Sequence, residues 1–241
     1  ETRADVETRP GTWMAAPGGD ALWLNVESPA DRLVEISLRH TVFSPLTRGL
    51  GHIAVRGFTL EHAANHFPTW DREGWPQAGL LSTRGGHHWT VEDNTIRFAK
   101  SIGMDCGSEG DDIHIENRGE EEHGRLHDRD NMDTCGAGYH LIRGNRICDN
   151  GLCGLAGIRH TGTRVVGNVI ERNNCDGWTS PWWEFAGIKF HFFFAGEIRD
   201  NLIRDNEAHG IWLDNQWRGS RITGNVIVNN LWSGINVELG R

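Results

Sequence analysis

Gly144-Asn145-Arg146-Ile147, Gly167-Asn168-Val169-Ile170 and Gly224-Asn225-Val226-Ile227 share one frame, and the reading of that frame decides the fold. Asp200-Asn201-Leu202-Ile203 and Asp93-Asn94-Thr95-Ile96 are close variants. A second frame follows each one. Aligned on its aliphatic residue, it runs Ala78-Gly79-Leu80, Ser101-Ile102, Gly157-Ile158, Gly187-Ile188, Gly210-Ile211 and Gly234-Ile235. The intervals between those aliphatics are 22, 56, 30, 23 and 24 residues. An interval of 22–24 suits one coil of a right-handed parallel β-helix, whose short strands stack coil upon coil. The recurring Asn suits a turn, because it tolerates the left-handed region and can hydrogen-bond the same turn in the next coil. A leucine-rich repeat would need the L-x-x-L-x-L-x-x-N spacing, which is absent. Helical repeats would need a 3.6-residue period, and the runs here are short and β-rich.

The expected fold is therefore all-β: a right-handed parallel β-helix, or solenoid, over residues 35–241. The two long intervals are coils with loop insertions, near 107–138 and 175–186. Residues 1–34 do not fit the coil pattern. There Ala21-Leu22-Trp23-Leu24-Asn25-Val26 reads as a strand after the turn Pro17-Gly18-Gly19-Asp20, the remnant of a β-sandwich or an irregular cap. The first solenoid strand is expected near Leu33-Val34-Glu35-Ile36-Ser37-Leu38.

Composition agrees with a turn-rich solenoid. Glycine contributes 31 of 241 residues, asparagine seventeen and proline 7, which favours many tight turns over disorder. A net charge of -9 argues against nucleic acid as a partner. No apolar stretch approaches the roughly 18 residues of a membrane span. The five cysteines include no C-x-x-C pair, which argues against a zinc site and a disulfide framework. Reduced, buried thiols lean towards a cytoplasmic setting without assigning a compartment. His87-His88 lacks a carboxylate at metal spacing and reads as structural; Asp111-Asp112 and Glu120-Glu121-Glu122 match no calcium motif. No phosphate-binding or dinucleotide fingerprint occurs, so no cofactor is expected. The chain starts at Glu1 without Met and stops soon after Glu238, so further N- and C-terminal parts of the same protein are expected. The sequence does not indicate an oligomeric state.

Alternation along a strand turns the second frame into a site. With each aliphatic as inward position zero, position three reads Thr83, Asp105, Thr161, His191, Asp214 and Glu238, all polar and all outward. Position one ends in Lys189, Trp212 and Asn236. Asp214 and Glu238 fall at one position on consecutive coils. Strands about 4.8 Å apart would put their carboxyl groups roughly 5–6 Å from each other. Retaining glycosidases need two carboxyl groups about 5–5.5 Å apart, and inverting ones roughly 6.5–9.5 Å. Trp212 offers a flat face to a sugar, and Lys189 is one of only two lysines. The insert Gly177-Trp178-Thr179-Ser180-Pro181-Trp182-Trp183-Glu184-Phe185 enters the same rung.

These residues carry a resemblance. Gly57-Phe58-Thr59-Leu60-Glu61-His62-Ala63-Ala64-Asn65, Gln77 to Trp89, Gly210-Ile211-Trp212-Leu213-Asp214-Asn215 and Val237-Glu238-Leu239-Gly240 resemble the β-xylosidases of glycoside hydrolase family 120. The likeness implies a β-helix carrying an inserted sandwich and retaining, exo-acting release of xylose from β-xylo-oligosaccharides without a catalytic metal. It implies Asp214 as nucleophile, Glu238 as acid/base and Glu184 as a sugar contact. Lys189, His191, Trp212 and Asn236 complete the expected substrate-binding set. The chain lacks most of the sandwich and the coils that follow the acid/base in that family. Two other readings fit a β-helix: a polysaccharide lyase or uronate epimerase using a basic residue and calcium, or a non-catalytic glycan-binding segment.

Overall fold

The computed structural model describes residues 2–28, 31–66, 78–108, 136–177, 184–215 and 217–238. Most of the expected 107–138 insertion lies outside the described residues, as do Trp178, Trp182 and Trp183 of the second insertion. The chain divides into two compact units, Glu1–Ile36 and Ser37–Arg241.

In the first unit, a short helix Arg3–Thr8 begins with a capping box. The Thr2 side chain accepts from Asp5 N–H, and Asp5 reaches back to the Thr2 backbone. Trp13–Ala15 and Leu22–Leu24 pair antiparallel, so the strand expected around Trp23 exists as half of a hairpin.

The second unit is a right-handed parallel β-helix built of three parallel sheets of six strands each. One sheet stacks Thr59–Ala63, Thr95–Ala99, Arg146–Cys148, Val169–Glu171, Leu202–Arg204 and Val226–Val228, the strands that follow the Asn frame. A second stacks Leu81–Ser82, Ile102–Asp105, Cys153–Thr161, Ala186–Phe194, His209–Asp214 and Ile235–Val237. The third, Ala54–Arg56, Thr90–Glu92, Leu141–Arg143, Arg164–Val166, Glu197–Arg199 and Arg221–Thr223, has no frame of its own in the sequence. Its three-residue strands point one side chain each into the core: Val55, Val91, Ile142, Val165, Ile198 and Ile222. The segment from Leu33 to Leu38 is not a strand, and Leu33, Val34, Ile36 and Leu38 are exposed. The coil path instead opens with the bridges Arg39↔Ala63 and Phe43↔Leu81.

Every coil carries the same inward column. In the Asn-led sheet it runs Leu60, Ile96, Ile147, Ile170, Ile203 and Ile227, each opposite the next. Full burial of such a side chain contributes about 1.5–3 kcal/mol. The column alone would tolerate sliding, because one aliphatic resembles another. The turn fixes the register. The Nδ2 of Asn94, Asn145, Asn168 and Asn201 each donates to the Oδ1 of the next Asn in the series ending at Asn225, over 2.8–3.0 Å. A second ladder runs Asn150, Asn173, Asn206 and Asn230 at the next corner. Contrary to expectation, these Asn residues do not take the left-handed conformation. The preceding residue does so at Asp93, Gly144, Gly167, Asp200 and Gly224, with φ of 56–66°. That residue turns the chain, which frees the Asn side chain to point along the solenoid axis.

An ionic cluster marks the outer side of the Asn-led sheet. Glu171, only 1% exposed, accepts from Arg146 (2.7 Å) and Arg204 (2.8 Å) of the two neighbouring coils and pairs with Arg172 (2.8 Å). Burial raises the pKa of its carboxyl, but the three guanidinium groups outweigh that and bring it to about 2.

Asn168→Ala removes a rung that donates to Ile142 C=O and Asn201 and accepts twice from Asn145. Urea unfolding of that variant is expected to show a loss of roughly 2–4 kcal/mol, and Asn225→Ala, at the half-buried last rung, about 1 kcal/mol or less. Equal losses would mean that the ladder carries no cooperative weight. For Glu171, the folded-state pKa lies below the ordinary value of 4.5, so its stabilisation is complete above that value. The urea midpoint should therefore fall as pH drops from 4.5 towards about 2. In Glu171→Gln the fall over the same range should be shallower.

Candidate active site

The strands Ala186–Phe194, His209–Asp214 and Ile235–Val237 build the site. Parallel pairing sets Lys189 opposite Trp212, Trp212 opposite Asn236, and His191 opposite Asp214. Leu213 pairs with Val237, and Glu238 N–H donates to Leu213 C=O at 2.8 Å. Glu238 therefore stands one coil beyond Asp214 in the same column. The expected alternation puts Ile188, Phe190, Ile211 and Leu213 into the core on the first two of these strands, whereas Ile235 and Val237 of the last are exposed.

Earlier coils register differently from the sequence alignment. Leu155, Met104 and Leu81 lie in the column of Ile188, where Ile158, Ile102 and Leu80 were expected. Gly154-Leu155 and Gly157-Ile158 both fit the Gly-aliphatic frame, three residues apart on one nine-residue strand. The pairing takes the first, with Leu155 opposite Ile188 and Met104; a Cβ at Gly154 would meet Gly187 O at 2.7 Å. Asp105 therefore shares the column of Lys189 rather than that of Asp214, and Thr161 belongs to neither.

The face is also not open, as an outward polar stripe would be. Lys189 is fully buried, His191 is 2% exposed and Glu184 is 5% exposed. Glu184 lies two residues before its strand and reaches back over the face. Its Oε2 is 2.6 Å from His191 Nε2 and 3.4 Å from Lys189 Nζ. Lys189 Nζ also lies 3.0 Å from Asp214 Oδ2 and 3.2 Å from the centroid of the Trp212 ring. The indole is thus occupied on one face by an ammonium, and its Nε1 donates to Glu238 Oε2 at 3.1 Å. Asn236 is half-buried opposite Trp212.

Both ring nitrogens of His191 are engaged. Its Nδ1 lies 3.1 Å from Asn215 Nδ2 and 3.5 Å from Asp214 Oδ2, and its Nε2 lies 2.6 Å from Glu184 Oε2. Burial raises the pKa of the Glu184 carboxyl, but His191 and Lys189 outweigh that effect and hold it below the usual range. Both oxygens of Asp214 are engaged, Oδ2 by Lys189 and Oδ1 by Asn215 N–H at 2.7 Å. Asn215, which the sequence reading passed over, takes the left-handed conformation (φ 45°) where its strand ends. That turn carries its N–H back onto Asp214. Its one sequence signal was an Asn directly after an outward acid. Also missed was an aromatic wall of Phe185, His209 and Trp232, with ring centroids 4.9–5.1 Å apart.

Lys189 fills the position between Glu184 and Asp214 that a cation could otherwise take. Among the described residues, the groups of His and carboxylate donors close enough to share a metal ion lie outside this site, His52 with His87 and His88 among them.

The solenoid and its register define the class: the chain belongs to the right handed beta helix region family, whose model matches residues 78–241. Among solved structures it is similar to XylC in complex with xylose, with 24% identity and a TM-score of 0.62. The match covers 84% of this chain and 36% of that of XylC. It shows a shared fold. No curated protein matches.

Lys189→Met tests the ionic core. It leaves Glu184 and Asp214 facing each other without their shared cation, which should cost about 3–5 kcal/mol in urea unfolding. Lys189→Met combined with Glu184→Gln should recover part of that loss. A single variant as stable as the parent would show that the cluster is solvated.

Proposed function

We propose that the chain carries the catalytic centre of a retaining β-glycosidase acting on β-linked xylose. The observation that carries this reading is the stacking of Asp214 and Glu238 in one column on adjacent coils. Adjacent strands run about 4.8 Å apart, which favours the short carboxyl separation of retaining enzymes. The resemblance to family 120 β-xylosidases supports the same pair, and XylC, similar in fold, was solved with xylose.

In this mechanism Asp214 attacks the anomeric carbon from the side opposite the leaving group. Lys189 and Asn215 N–H hold its two oxygens, so that the nucleophile meets the sugar in a single orientation. Glu238 protonates the departing glycosidic oxygen, and the Trp212 indole orients its carboxyl. A covalent xylosyl-enzyme forms; Glu238 then takes a proton from water, which displaces Asp214 with net retention. Glu184 and His191 act behind Lys189, fixing its ammonium, and Asn236 stands beside Trp212 on the substrate side. Lys189 is committed to ion pairs with two carboxylates and lies against an indole, so its amine is not presented to a uronate. That disfavours the lyase reading.

Aryl β-xyloside hydrolysis by the full-length gene product tests the proposal. Asp214→Ala should lose essentially all turnover, and azide should restore it as the α-xylosyl azide. Glu238→Ala should lose roughly 100- to 10,000-fold on substrates with poor leaving groups and less on activated ones. Azide should then give the β-product. Full activity in either variant, or cleavage confined to uronate polymers with calcium, would overturn the assignment.

A further inference from the structure

Outside that site, three histidines converge on the first two coils. Gly51, His87 and Gly138 are bridged across successive coils, just ahead of the strands of the third sheet. His52 N–H donates to His87 C=O, and His88 N–H donates to Gly138 C=O. His52, His88 and Tyr139 consequently occupy one turn position on three coils, each with a left-handed backbone (φ 60°, 54° and 55°). Their rings stack along the axis, His52 on His88 at 5.0 Å and His88 on Tyr139 at 4.9 Å. The His87 ring stands at 86–87° to its two histidine neighbours. It lies where a side chain at position 51 would be, since a Cβ on Gly51 would fall 2.1 Å from its Cε1. Glycine at position 51 is what lets the ring lean over the preceding coil.

The result is a convergence of donor atoms. Nδ1 of His87 and Nδ1 of His88 are 2.9 Å apart, and one ring nitrogen from each of the three histidines lies within 4.8 Å of the others. In the metal-free protein the 2.9 Å contact is a hydrogen bond between the two imidazoles. A tetrahedral ion at about 2.0–2.1 Å from each would set the nitrogens roughly 3.3–3.4 Å apart, so the pair need open by only about 0.4 Å to take it. His52 is exposed, and turning its ring out of the stack on His88 would close the remaining distance. Its contribution comes from the coil before, 36 residues ahead of His88, so inspection of His87-His88 alone gave no metal pattern.

We propose that His52, His87 and His88 form a surface site for a divalent transition-metal ion, which staples the first coil to the second. An all-imidazole donor set selects borderline ions such as Zn²⁺, Ni²⁺ or Cu²⁺ over Ca²⁺ and Mg²⁺, which prefer oxygen. Solvent completes the coordination. The site is independent of the glycosidase reading.

The test is calorimetric titration of the tag-free, chelator-treated chain with ZnCl₂, NiCl₂ and CaCl₂, alongside thermal unfolding. One equivalent of Zn²⁺ or Ni²⁺ should bind, and Ca²⁺ should not. Zn²⁺ at one hundred times its Kd should raise Tm by about 5–10 °C. His52→Ala and His88→Ala should each weaken binding at least about tenfold and abolish the Tm shift. His40→Ala, a surface histidine elsewhere, should change neither. Both rings replaced are exposed, and the metal-free Tm of each variant reports whether it folds as the parent does. Absence of saturable Zn²⁺ and Ni²⁺ binding, undiminished affinity in His52→Ala combined with His88→Ala, or equal affinity for Ca²⁺ would overturn the proposal.

Discussion

The structure depends on vertical register between coils. Backbone pairing in three parallel sheets holds successive coils together, but it would pair as well after a slip of two residues. The buried asparagine ladders remove that freedom. Each amide donates to the next coil's side chain and to a backbone carbonyl of the preceding one, so a slip would leave several buried polar groups unsatisfied at once. The apolar columns beneath contribute most of the burial, and the ladders specify which coil residue meets which.

Register in turn makes the site. Glu184, Lys189, His191, Trp212, Asp214 and Glu238 come from three coils and meet because the second sheet aligns them. Lys189 is the hinge of this group: one ammonium answers two carboxylates and lies against an indole. Burial strengthens each of these interactions and makes the loss of any one costly. The site is thereby preorganised around Asp214, whose two oxygens each have a donor within 3.0 Å. The histidine cluster at the other end of the solenoid arises by the same rule, since stacked turns bring side chains of distant sequence number within a few ångströms.

Much of this was legible in the sequence because a solenoid translates periodicity directly into position. The Asn frame and the following Gly-aliphatic frame located two of the three sheets, and the spacing of Ile188, Ile211 and Ile235 put Asp214 and Glu238 in one column. The third sheet was hidden because its strands contribute a single inward side chain each, too short a run to show alternation. The early coils were misaligned because Gly154-Leu155 and Gly157-Ile158 offer the same local pattern; only the pairing of the strand with its neighbours separates them.

By itself, then, the sequence determined the architecture, the coil length and the pairing of outward residues on the last three coils, since these depend on spacing alone. Tertiary structure decided the electrostatics. Lys189 and His191 are buried rather than exposed, paired with Glu184 ahead of their strand and with the Trp212 indole against the ammonium, contacts no repeat encodes. That Asn215 holds Asp214 follows from a left-handed turn at the strand end. That His52 joins His87 and His88 follows from coil stacking over a glycine. Spacing says which side chains share a column, but burial and charge pairing depend on what covers that column.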